Sequence, residues 1–334
     1  MSTASLPVVH VHEFGTDQPV RWCPGCGDFS VLEQLKQAMA MTGIPRERIV
    51  FVSGMGCAGR TPYYLNTFGF HTIAGKAPAV ATGLRAARPD LSVWVITGDG
   101  DALSVGGNHL LQAVRRNSDI KIVMLNNEIM GWTRGQASPT SRLGTRTKTT
   151  PEGSAEGPLR PLSVVLAAEA TFAARSIDVD ADHLRDTLVR AAKHRGSAFV
   201  EVYQNCHVYN DGVFEYATDH GSKPDTTLYL EHGKPLLFGK DRNRGIRLSG
   251  VAPEAVSLGQ GMPLDDILVH NETNADPATA WILSRMCGPE LPECFGVFRA
   301  VERPTFEDVL RAPPPRRAPS LAEVLTGDEA FTGL

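Results

Sequence analysis

Two short apolar segments of the chain each end in oxygen-bearing side chains. Residues 92–97 are followed by Asp99, which has a glycine on either side, and residues 120–125 are followed by Asn127. Segments of this kind are typical of buried parallel strands. Asp99 and Asn127 would then lie at the carboxyl edge of one sheet, where a carboxylate and an amide oxygen suit Mg²⁺. The pattern predicts a site for a metal-bound diphosphate, although each half alone is also typical of an ordinary turn.

The residues around Asp99 favour a close approach by a phosphate. Gly98 and Gly100 lack a Cβ atom, so the backbone can turn sharply beside a ligand. A helix predicted to begin at Gly106 would direct its amino end, which favours anions, to the same edge. Asp101 is either a cofactor contact or a residue that caps this helix.

Four of the six cysteines fall where a parallel sheet would bring them to that same edge. Cys23 and Cys26 form a Cys-x-x-Cys turn, whereas Cys57 and Cys206 each follow a predicted strand. Four thiolates gathered there could bind zinc or a [4Fe–4S] cluster. The Cys-x-x-Cys pair could instead be a redox dithiol. The spacing leaves these three alternatives open.

Composition and charge argue against some classes of protein: those that bind nucleic acid, are secreted or span a membrane. The chain has 334 residues and a formal net charge of −4 without a block of basic residues, so nucleic acid is not an expected partner. Residues 1–14 lack a secretion pattern, and no apolar run approaches membrane-spanning length. We therefore expect a cytoplasmic protein with reduced thiols and no membrane partner. Cys287 and Cys294 lie among apolar residues and are predicted to be buried.

Apolar strands alternate with helical patterns along the first two thirds of the chain. The predicted strands cover residues 48–53, 92–97, 120–126, 171–176 and 198–203, and the predicted helices cover residues 29–41, 77–88, 106–117, 161–169 and 181–195. This alternation predicts an α/β fold with a doubly wound, mostly parallel sheet.

The remaining segments have weaker patterns. Residues 131–158 form a long polar stretch directly after the candidate metal ligands, which predicts a loop that covers the site. Residues 263–311 are predicted to contain helices, one of them starting after Thr305. The proline-rich residues 312–319 are typical of an extended linker before a short final helix.

Several motifs together resemble the β subunits of 2-oxoacid:ferredoxin oxidoreductases, and most closely those that act on 2-oxoglutarate. They lie, in order, at residues 22–27, 54–60, 98–102, 106–109, 126–127, 135–140, 204–206 and 210–212. The resemblance implies a domain that binds thiamine diphosphate (TPP) and a cluster over residues 1–220. Residues 221–334 would form a carboxyl-terminal extension and tail.

The resemblance also implies roles for individual residues. It assigns one [4Fe–4S] cluster to Cys23, Cys26, Cys57 and Cys206. It assigns Mg²⁺ to Asp99, Asn127 and the carbonyl oxygen of Ile129. It assigns TPP contacts to Met55, Gly56, Cys57, Ala58, His71, Gly98, Gly100, Asp101, Gly131 and Trp132.

Two further positions concern the substrate, and two depart from the family pattern. Arg60 is a candidate for binding the distal carboxylate of a dicarboxylic 2-oxo acid; a surface arginine or a diphosphate contact is the alternative. Trp132 is a candidate for shaping the substrate pocket. Where family members often have His-Thr-x-His-Gly-Arg, this chain has His71-Thr-Ile-Ala-Gly-Lys76, so Ala74 replaces the second histidine and Lys76 the arginine.

The resemblance implies the TPP-dependent oxidative decarboxylation of a 2-oxo acid with coenzyme A. For 2-oxoglutarate the products are succinyl-CoA and CO₂, and electrons pass through the cluster to ferredoxin. TPP enzymes also need a glutamate from a second α/β domain, which the resemblance places on an α subunit of an (αβ)₂ heterotetramer. The alternatives are specificity for pyruvate or branched-chain substrates, a non-redox TPP decarboxylase or carboligase, and a catalytically silent, zinc-stabilised assembly subunit.

Overall fold

The computed structural model describes residues 9–259, 263–311 and 320–326, which form one large sheet, one small sheet and their helices. The strands are β1 (Ile49–Ser53), β2 (Phe68–His71), β3 (Ser92–Gly98), β4 (Lys121–Asn126), β5 (Phe172–Ile177), β6 (Ala198–Tyr203), β7 (Thr227–Leu230), β8 (Leu237–Phe238), β9 (Arg244–Ser249), β10 (Ala252–Ser257) and β11 (Glu293–Ala300). The large sheet has the order β2-β1-β3-β4-β6-β5-β11-β7, and the small antiparallel sheet has the order β10-β9-β8.

Helices cover both faces of the large sheet. The helices of the described residues are α1 (Asp28–Thr42), α2 (Ala77–Ala87), α3 (Gly107–Arg115), α4 (Pro161–Ala167), α5 (Ala181–Lys193), α6 (Glu215–Thr218), α7 (Lys223–Thr226), α8 (Ala278–Ser284), α9 (Phe306–Arg311) and α10 (Leu321–Thr326). Successive residues of a strand point to opposite faces. Val50 and Val52 of β1 therefore share a core with α2, α3, α4 and α8, whereas Ile49 and Phe51 share a core with α1 and α5. The predicted doubly wound architecture is confirmed.

The carboxyl-terminal third contributes two strands to the large sheet. β11 pairs antiparallel with β5 and parallel with β7, and every other neighbouring pair in the sheet is parallel. The sheet is thus mostly parallel, as predicted. The expectation for residues 263–311 is correct for α8 and α9 but missed β11, whose eight residues include the buried charges Glu293 and Arg299. The division at residue 220 stays a prediction.

Other predicted elements need smaller corrections. The edge strand β2 was not predicted, because it has only four residues, all exposed, and one of them is a glycine. The helical turns after β3 begin at Asp99 and Gly100 rather than at Gly106, and a π-helical turn over Asp101–Val105 leads into α3. The final helix is present as α10, and the predicted linker 312–319 lies outside the described residues.

The six cysteines are all free thiols, with different surroundings. Cys294 is buried, as predicted, but Cys287 is exposed, which corrects the prediction that both would be buried. Cys287 contacts the guanidinium of Arg160 in a segment outside the helices and strands, so it does not reach a core. Within the described ranges, no helix combines the length and apolar character that crossing a membrane requires.

Candidate cofactor site

One cavity of about 300 Å³ at the carboxyl edge of the sheet brings most of the predicted site residues together. Those that line it are Met55, Gly56, Cys57, Ala58, Gly98, Asp99, Gly100, Asp101, Asn127, Ile129, Gly131 and Trp132. Arg60 and His71 instead line an adjoining cavity of about 280 Å³, which shares Met55, Gly56 and Trp132 with the first. The ends of these strands therefore lie together at the predicted edge of the sheet. The roles of the individual residues stay predictions.

The carboxylate of Asp99 is buried and held by the long loop that follows β4. Its Oδ2 accepts hydrogen bonds from Ser138 Oγ at 2.6 Å and from Thr140 Oγ1 at 2.5 Å. Burial raises the pKa of Asp99 to about 6, and the two hydroxyl hydrogen bonds oppose that rise. This loop, predicted to cover the site, thus contacts the candidate metal ligand directly.

The hydroxyls of Ser138, Thr140 and Ser141 form one hydrogen-bonded group beside Asp99. Ser141 Oγ donates to the carbonyl oxygen of Glu128 and accepts from Ser138 N. A hydroxyl has one proton, and that of Thr140 has two acceptors, Asp99 Oδ2 at 2.5 Å and Asn126 Oδ1 at 3.0 Å, of which the carboxylate is the nearer. The sequence-based prediction did not identify the donors Ser138 and Thr140, although the run of hydroxyl residues at 138–141 was a signal for them.

The two other candidate Mg²⁺ ligands present oxygens at the end of β4. Asn127 Oδ1 accepts a hydrogen bond from Ile129 N at 3.2 Å, and the carbonyl oxygen of Ile129 accepts one from Gly131 N at 3.1 Å. Each of these oxygens keeps a second lone pair. A carboxylate, an amide oxygen and a carbonyl oxygen are hard donors that fit Mg²⁺, which completes its shell with phosphate and water.

Asp101 uses its carboxylate to join three segments around the cavity. Its Oδ1 accepts from Met55 N at 3.2 Å and from Gly75 N at 2.7 Å, and its Oδ2 accepts from Thr97 Oγ1 at 2.7 Å. The predicted alternatives were a cofactor contact and a helix cap. The geometry adds a third role, in which Asp101 fixes the loops after β1 and β2 against β3.

A tight turn holds the Cys-x-x-Cys segment. Cys26 N donates to the carbonyl oxygen of Cys23 at 3.1 Å, and Gly25 has a φ of 79°. Proline followed by a glycine with positive φ is typical of a type II turn. The indole of Trp22 donates to the carbonyl oxygen of Cys57 at 2.9 Å, so the turn is tied to the loop that carries the third cysteine.

The remaining thiols lie near this turn and beside the cavity. A Cβ atom at Gly131 would be 3.5 Å from Cys206 Sγ and 3.9 Å from Cys57 Sγ. Burial, with a smaller contribution from nearby acidic groups, raises the pKa of Cys57 to about 12, and burial also raises the pKa of Cys26 and Cys206. These thiols are therefore neutral until a metal displaces their protons.

Zinc and a [4Fe–4S] cluster require different arrangements of the thiols. Within residues 9–259, 263–311 and 320–326, no three His, Cys, Asp or Glu side chains are arranged to share a single metal ion. A structural zinc ion needs four such ligands around one centre, whereas a [4Fe–4S] cluster takes one thiolate at each iron. The zinc and cluster alternatives both stay predictions.

Asp28 is a site residue that the sequence-based prediction missed. It lines the main cavity, has 1% of its surface exposed, and its Oδ2 has no hydrogen-bond partner among the described residues. Burial raises the pKa of Asp28 to about 7, and the nearby Cys26 thiol opposes the rise. Asp28 is the first residue of α1, and an acidic residue at the start of a helix gives no sign in the sequence that it lines a cavity.

The adjoining cavity combines cationic and aromatic side chains. The guanidinium of Arg60 lies 4.6 Å from the ring centroid of Trp132, and Arg21 and Tyr63 line the same cavity. His71 Nδ1 lies 3.1 Å from the carbonyl oxygen of Gly59 and 3.0 Å from Ser53 Oγ. Such a cavity suits a small anion with a flat carboxylate.

The two departures from the family pattern have different surroundings. Ala74 lines the main cavity and supplies only a methyl group there. Lys76 Nζ lies 2.7 Å from His109 Nε2, on the first turn of α3. The lysine, which directly precedes α2, thus contacts a histidine of α3.

A third cavity, of about 490 Å³, lies beside a buried charge cluster and is lined by none of the predicted site residues. Arg175 of β5 pairs with Glu201 of β6 at 2.9 Å and with Glu293 of β11 at 3.0 Å. Tyr203 OH also donates to Glu293 at 2.5 Å, and Asn126 Nδ2 donates to Glu201 at 2.8 Å. These bonds join the centre of the sheet to its carboxyl-terminal strand.

Comparisons with known proteins agree with this geometry. Residues 54–202 match the family model for the C-terminal TPP-binding domain of thiamine pyrophosphate enzymes. The 2-oxoglutarate oxidoreductase subunit KorB of Mycobacterium tuberculosis is 47% identical over 301 residues, which cover 90% of this chain and 80% of that protein. The 2-oxoglutarate synthase subunit KorB of Methanothermobacter thermautotrophicus is 40% identical over 57% of this chain and 67% of its own length.

A solved structure extends the similarity to three dimensions. A chain of the 2-oxoglutarate:ferredoxin oxidoreductase from Magnetococcus marinus, which has 2-oxoglutarate, coenzyme A and succinyl-CoA bound, is 29% identical to this chain. It matches with a TM-score of 0.73 over 92% of this chain and 90% of its own. The chain thus contains a TPP-binding domain and belongs to the family of 2-oxoacid:ferredoxin oxidoreductase β subunits.

Proposed function

We propose that this chain, with a partner subunit, oxidises 2-oxoglutarate to succinyl-CoA and CO₂ and passes the electrons to ferredoxin. One observation carries the proposal: Asp99, Asn127 and Cys57 line the same cavity, and Cys26 and Cys206 border it. The choice of substrate is supported by the relatives that are named for 2-oxoglutarate.

When bound, TPP supplies an electron sink for decarboxylation, and an iron–sulfur cluster takes up electrons singly. The chain's own residues hold these groups. Oxygens of Asp99, Asn127 and Ile129 would bind Mg²⁺ at the diphosphate. The four thiolates at residues 23, 26, 57 and 206 would ligate the cluster; Cys26, Cys57 and Cys206 are partly buried, whereas Cys23 is exposed and would be its solvent-facing ligand.

The substrate carboxylate has a candidate partner in the adjoining cavity. Arg60 is fixed by stacking on Trp132, and a guanidinium can bind a carboxylate through two parallel hydrogen bonds. Because the two cavities share Met55, Gly56 and Trp132, a small dicarboxylate could reach from the arginine towards the cofactor. Shorter or branched 2-oxo acids lack the distal carboxylate and would leave Arg60 without this partner.

The proposal requires a second subunit. Within the described residues there is a single doubly wound sheet, and the family match is to a C-terminal TPP-binding domain. The glutamate that contacts the other end of TPP would come from an α subunit, and we infer an (αβ)₂ assembly. A cytoplasmic location is supported by Cys287 and Cys294, the two thiols that the proposed cluster does not use and that a reducing compartment keeps free.

The test is anaerobic purification of the chain with its co-expressed α subunit, followed by a substrate panel. We expect brown protein with four irons per chain, and CoA-dependent reduction of a low-potential acceptor that is fastest with 2-oxoglutarate. Formation of succinyl-CoA is followed by mass spectrometry. Pyruvate and 2-oxoisovalerate are the matched substrates that test for the other specificities.

Three results would contradict the proposal. Colourless protein that decarboxylates 2-oxo acids with TPP but reduces no acceptor would indicate a non-redox carboligase or decarboxylase. Four irons per chain without any 2-oxo acid oxidation by the complex would also contradict it. Zinc in place of iron, with no TPP bound, would indicate the structural alternative.

A further inference from the structure

Gln204 lies between the two candidate cofactor sites and is hydrogen-bonded to a residue of each. Its Oε1 accepts from Asn127 Nδ2 at 2.8 Å, and its Nε2 donates to Cys26 Sγ, 3.4 Å away. The side chain is buried, with 1% of its surface exposed, and lines the main cavity. One glutamine therefore contacts both a proposed Mg²⁺ ligand and a proposed cluster ligand.

The backbone determines which end of this amide faces which site. Gln204 Nε2 also donates to the carbonyl oxygen of Asn205. Because a carbonyl oxygen only accepts, the NH₂ group must face Asn205, and its second N–H is the one directed to Cys26. The Gln204 oxygen then faces Asn127, whose own NH₂ group donates to it. Asn127 Oδ1 is thereby turned away from Gln204, towards Ile129 N.

We propose that Gln204 is a positioning residue that couples the two cofactors, an inference that rests on the proposed function. It keeps the Asn127 amide in the orientation that offers Oδ1 to Mg²⁺. Its N–H bond to the Cys26 sulfur raises the reduction potential of the cluster, because such a bond stabilises the more negative, reduced state. A bound Mg²⁺–TPP fixes Asn127 and, through it, Gln204. TPP binding and cluster reduction are therefore linked, and each changes the equilibrium of the other.

The experiment compares variants of the complex purified anaerobically with its partner subunit. Gln204→Met keeps the length of the side chain but removes both hydrogen bonds. Gln204→Glu keeps an oxygen for Asn127 and removes the N–H donor to Cys26. Gln34→Met is the matched control, because Gln34 is also a buried glutamine but lies on α1 and lines neither cavity.

The readouts are the cluster midpoint potential, followed by EPR with and without Mg²⁺–TPP, and the Mg²⁺–TPP affinity, measured by calorimetry. In the wild type we expect TPP to shift the potential. In Gln204→Met the redox equilibrium should move about tenfold towards the oxidised state, which is ~59 mV for one electron. TPP should no longer shift the potential, and Mg²⁺–TPP affinity should fall about tenfold. Gln204→Glu should lower the potential but retain the affinity, and Gln34→Met should change neither.

The outcomes separate this inference from the proposed function. A wild-type complex without iron would refute the proposed function itself. An iron-replete complex in which both Gln204 variants keep the wild-type potential and its shift on TPP binding would overturn the inference alone. Loss of the cluster from both Gln204 variants but not from Gln34→Met would also overturn it, because Gln204 would then serve only cluster assembly.

Discussion

At the scale of single residues, the site depends on partners that orient the candidate ligands. Asp99 is held through one oxygen, Oδ2, by two hydroxyl donors from a loop some 40 positions away in the chain. Among the described residues, no side-chain donor is bonded to its Oδ1, the oxygen that we propose for the metal. Groups of this kind change metal affinity without touching the metal.

The first prediction concerns Thr140. Thr140→Val removes one hydroxyl donor to Asp99 while keeping the shape of the side chain. We expect Mg²⁺-dependent TPP affinity to fall about tenfold, measured by calorimetry on the αβ complex. Thr140→Ser should restore most of the affinity. Thr149→Val, an exposed threonine of the same loop, is the control, and equal affinity in the two valine variants would contradict the prediction.

At the scale of elements, short loops after the strands carry the chemistry, and the strands and long helices only place them. The strong alternation of apolar strands and helices made β1, β3, β4, β5 and β6 predictable, together with the edge at which Asp99 and Asn127 meet. Arg175 and Glu293 pair across the sheet, so a charged residue within a strand segment is compensated by a partner distant in sequence. This is why β11 was missed. The donors Ser138, Thr140 and Gln204 depend on tertiary contacts that no local pattern encodes.

The turn at the Cys-x-x-Cys segment gives the second prediction. In Gly25→Ala the new Cβ would sit at a φ of 79° and 3.4 Å from the ring of His207, a strain of about 1–2 kcal/mol. We expect fewer irons per chain by colorimetric assay, with an unchanged far-UV spectrum. Gly83→Ala is the control, because Gly83 lies exposed within α2 with nothing near its Cβ position and should gain about 0.5–1 kcal/mol. Full iron content in Gly25→Ala would refute the prediction.

His194, which follows α5, gives a prediction about pH. Burial and then the Lys121 cation lower the pKa of His194 to about 4 in the folded chain, from about 6.5 when unfolded. Between those values the unfolded state binds more protons, so this histidine contributes stability above pH 6.5 that is lost as the pH falls towards 4. We expect His194→Gln to lose less stability than the wild type between pH 7 and pH 5 in urea unfolding. His10→Gln, an exposed histidine, should keep the wild-type loss, and an equal loss in His194→Gln would contradict the assignment.

At the scale of the whole molecule, buried charges join the carboxyl-terminal third to the sheet. Arg175 of β5 lies between carboxylates of β6 and β11, and Tyr203 and Tyr216 donate to the same Glu293. The cluster is almost fully buried, so its charges depend on one another for compensation. The predicted extension is in this respect an integral part of the sheet.

The last prediction tests this connection. Arg175→Met removes the central cation and leaves two buried carboxylates without it, which should lower the free energy of unfolding by about 3–5 kcal/mol. The unfolding midpoint in urea measures the loss. Arg88→Met breaks an exposed pair with Asp90 and should leave the midpoint unchanged. Similar midpoints for the two variants would mean that the buried cluster does not hold β11 in place.

The position of β11 has a consequence for protein synthesis. Gly296 of β11 pairs with Arg175 of β5, so the ribosome makes more than a hundred residues between the two partners. During that interval the nascent chain exposes the open backbone edge of β5, which could pair with another polypeptide. The large sheet is completed only late in translation, when β11 has been made. Chaperones that shield the β5 edge until then should raise the yield of this protein in heterologous expression.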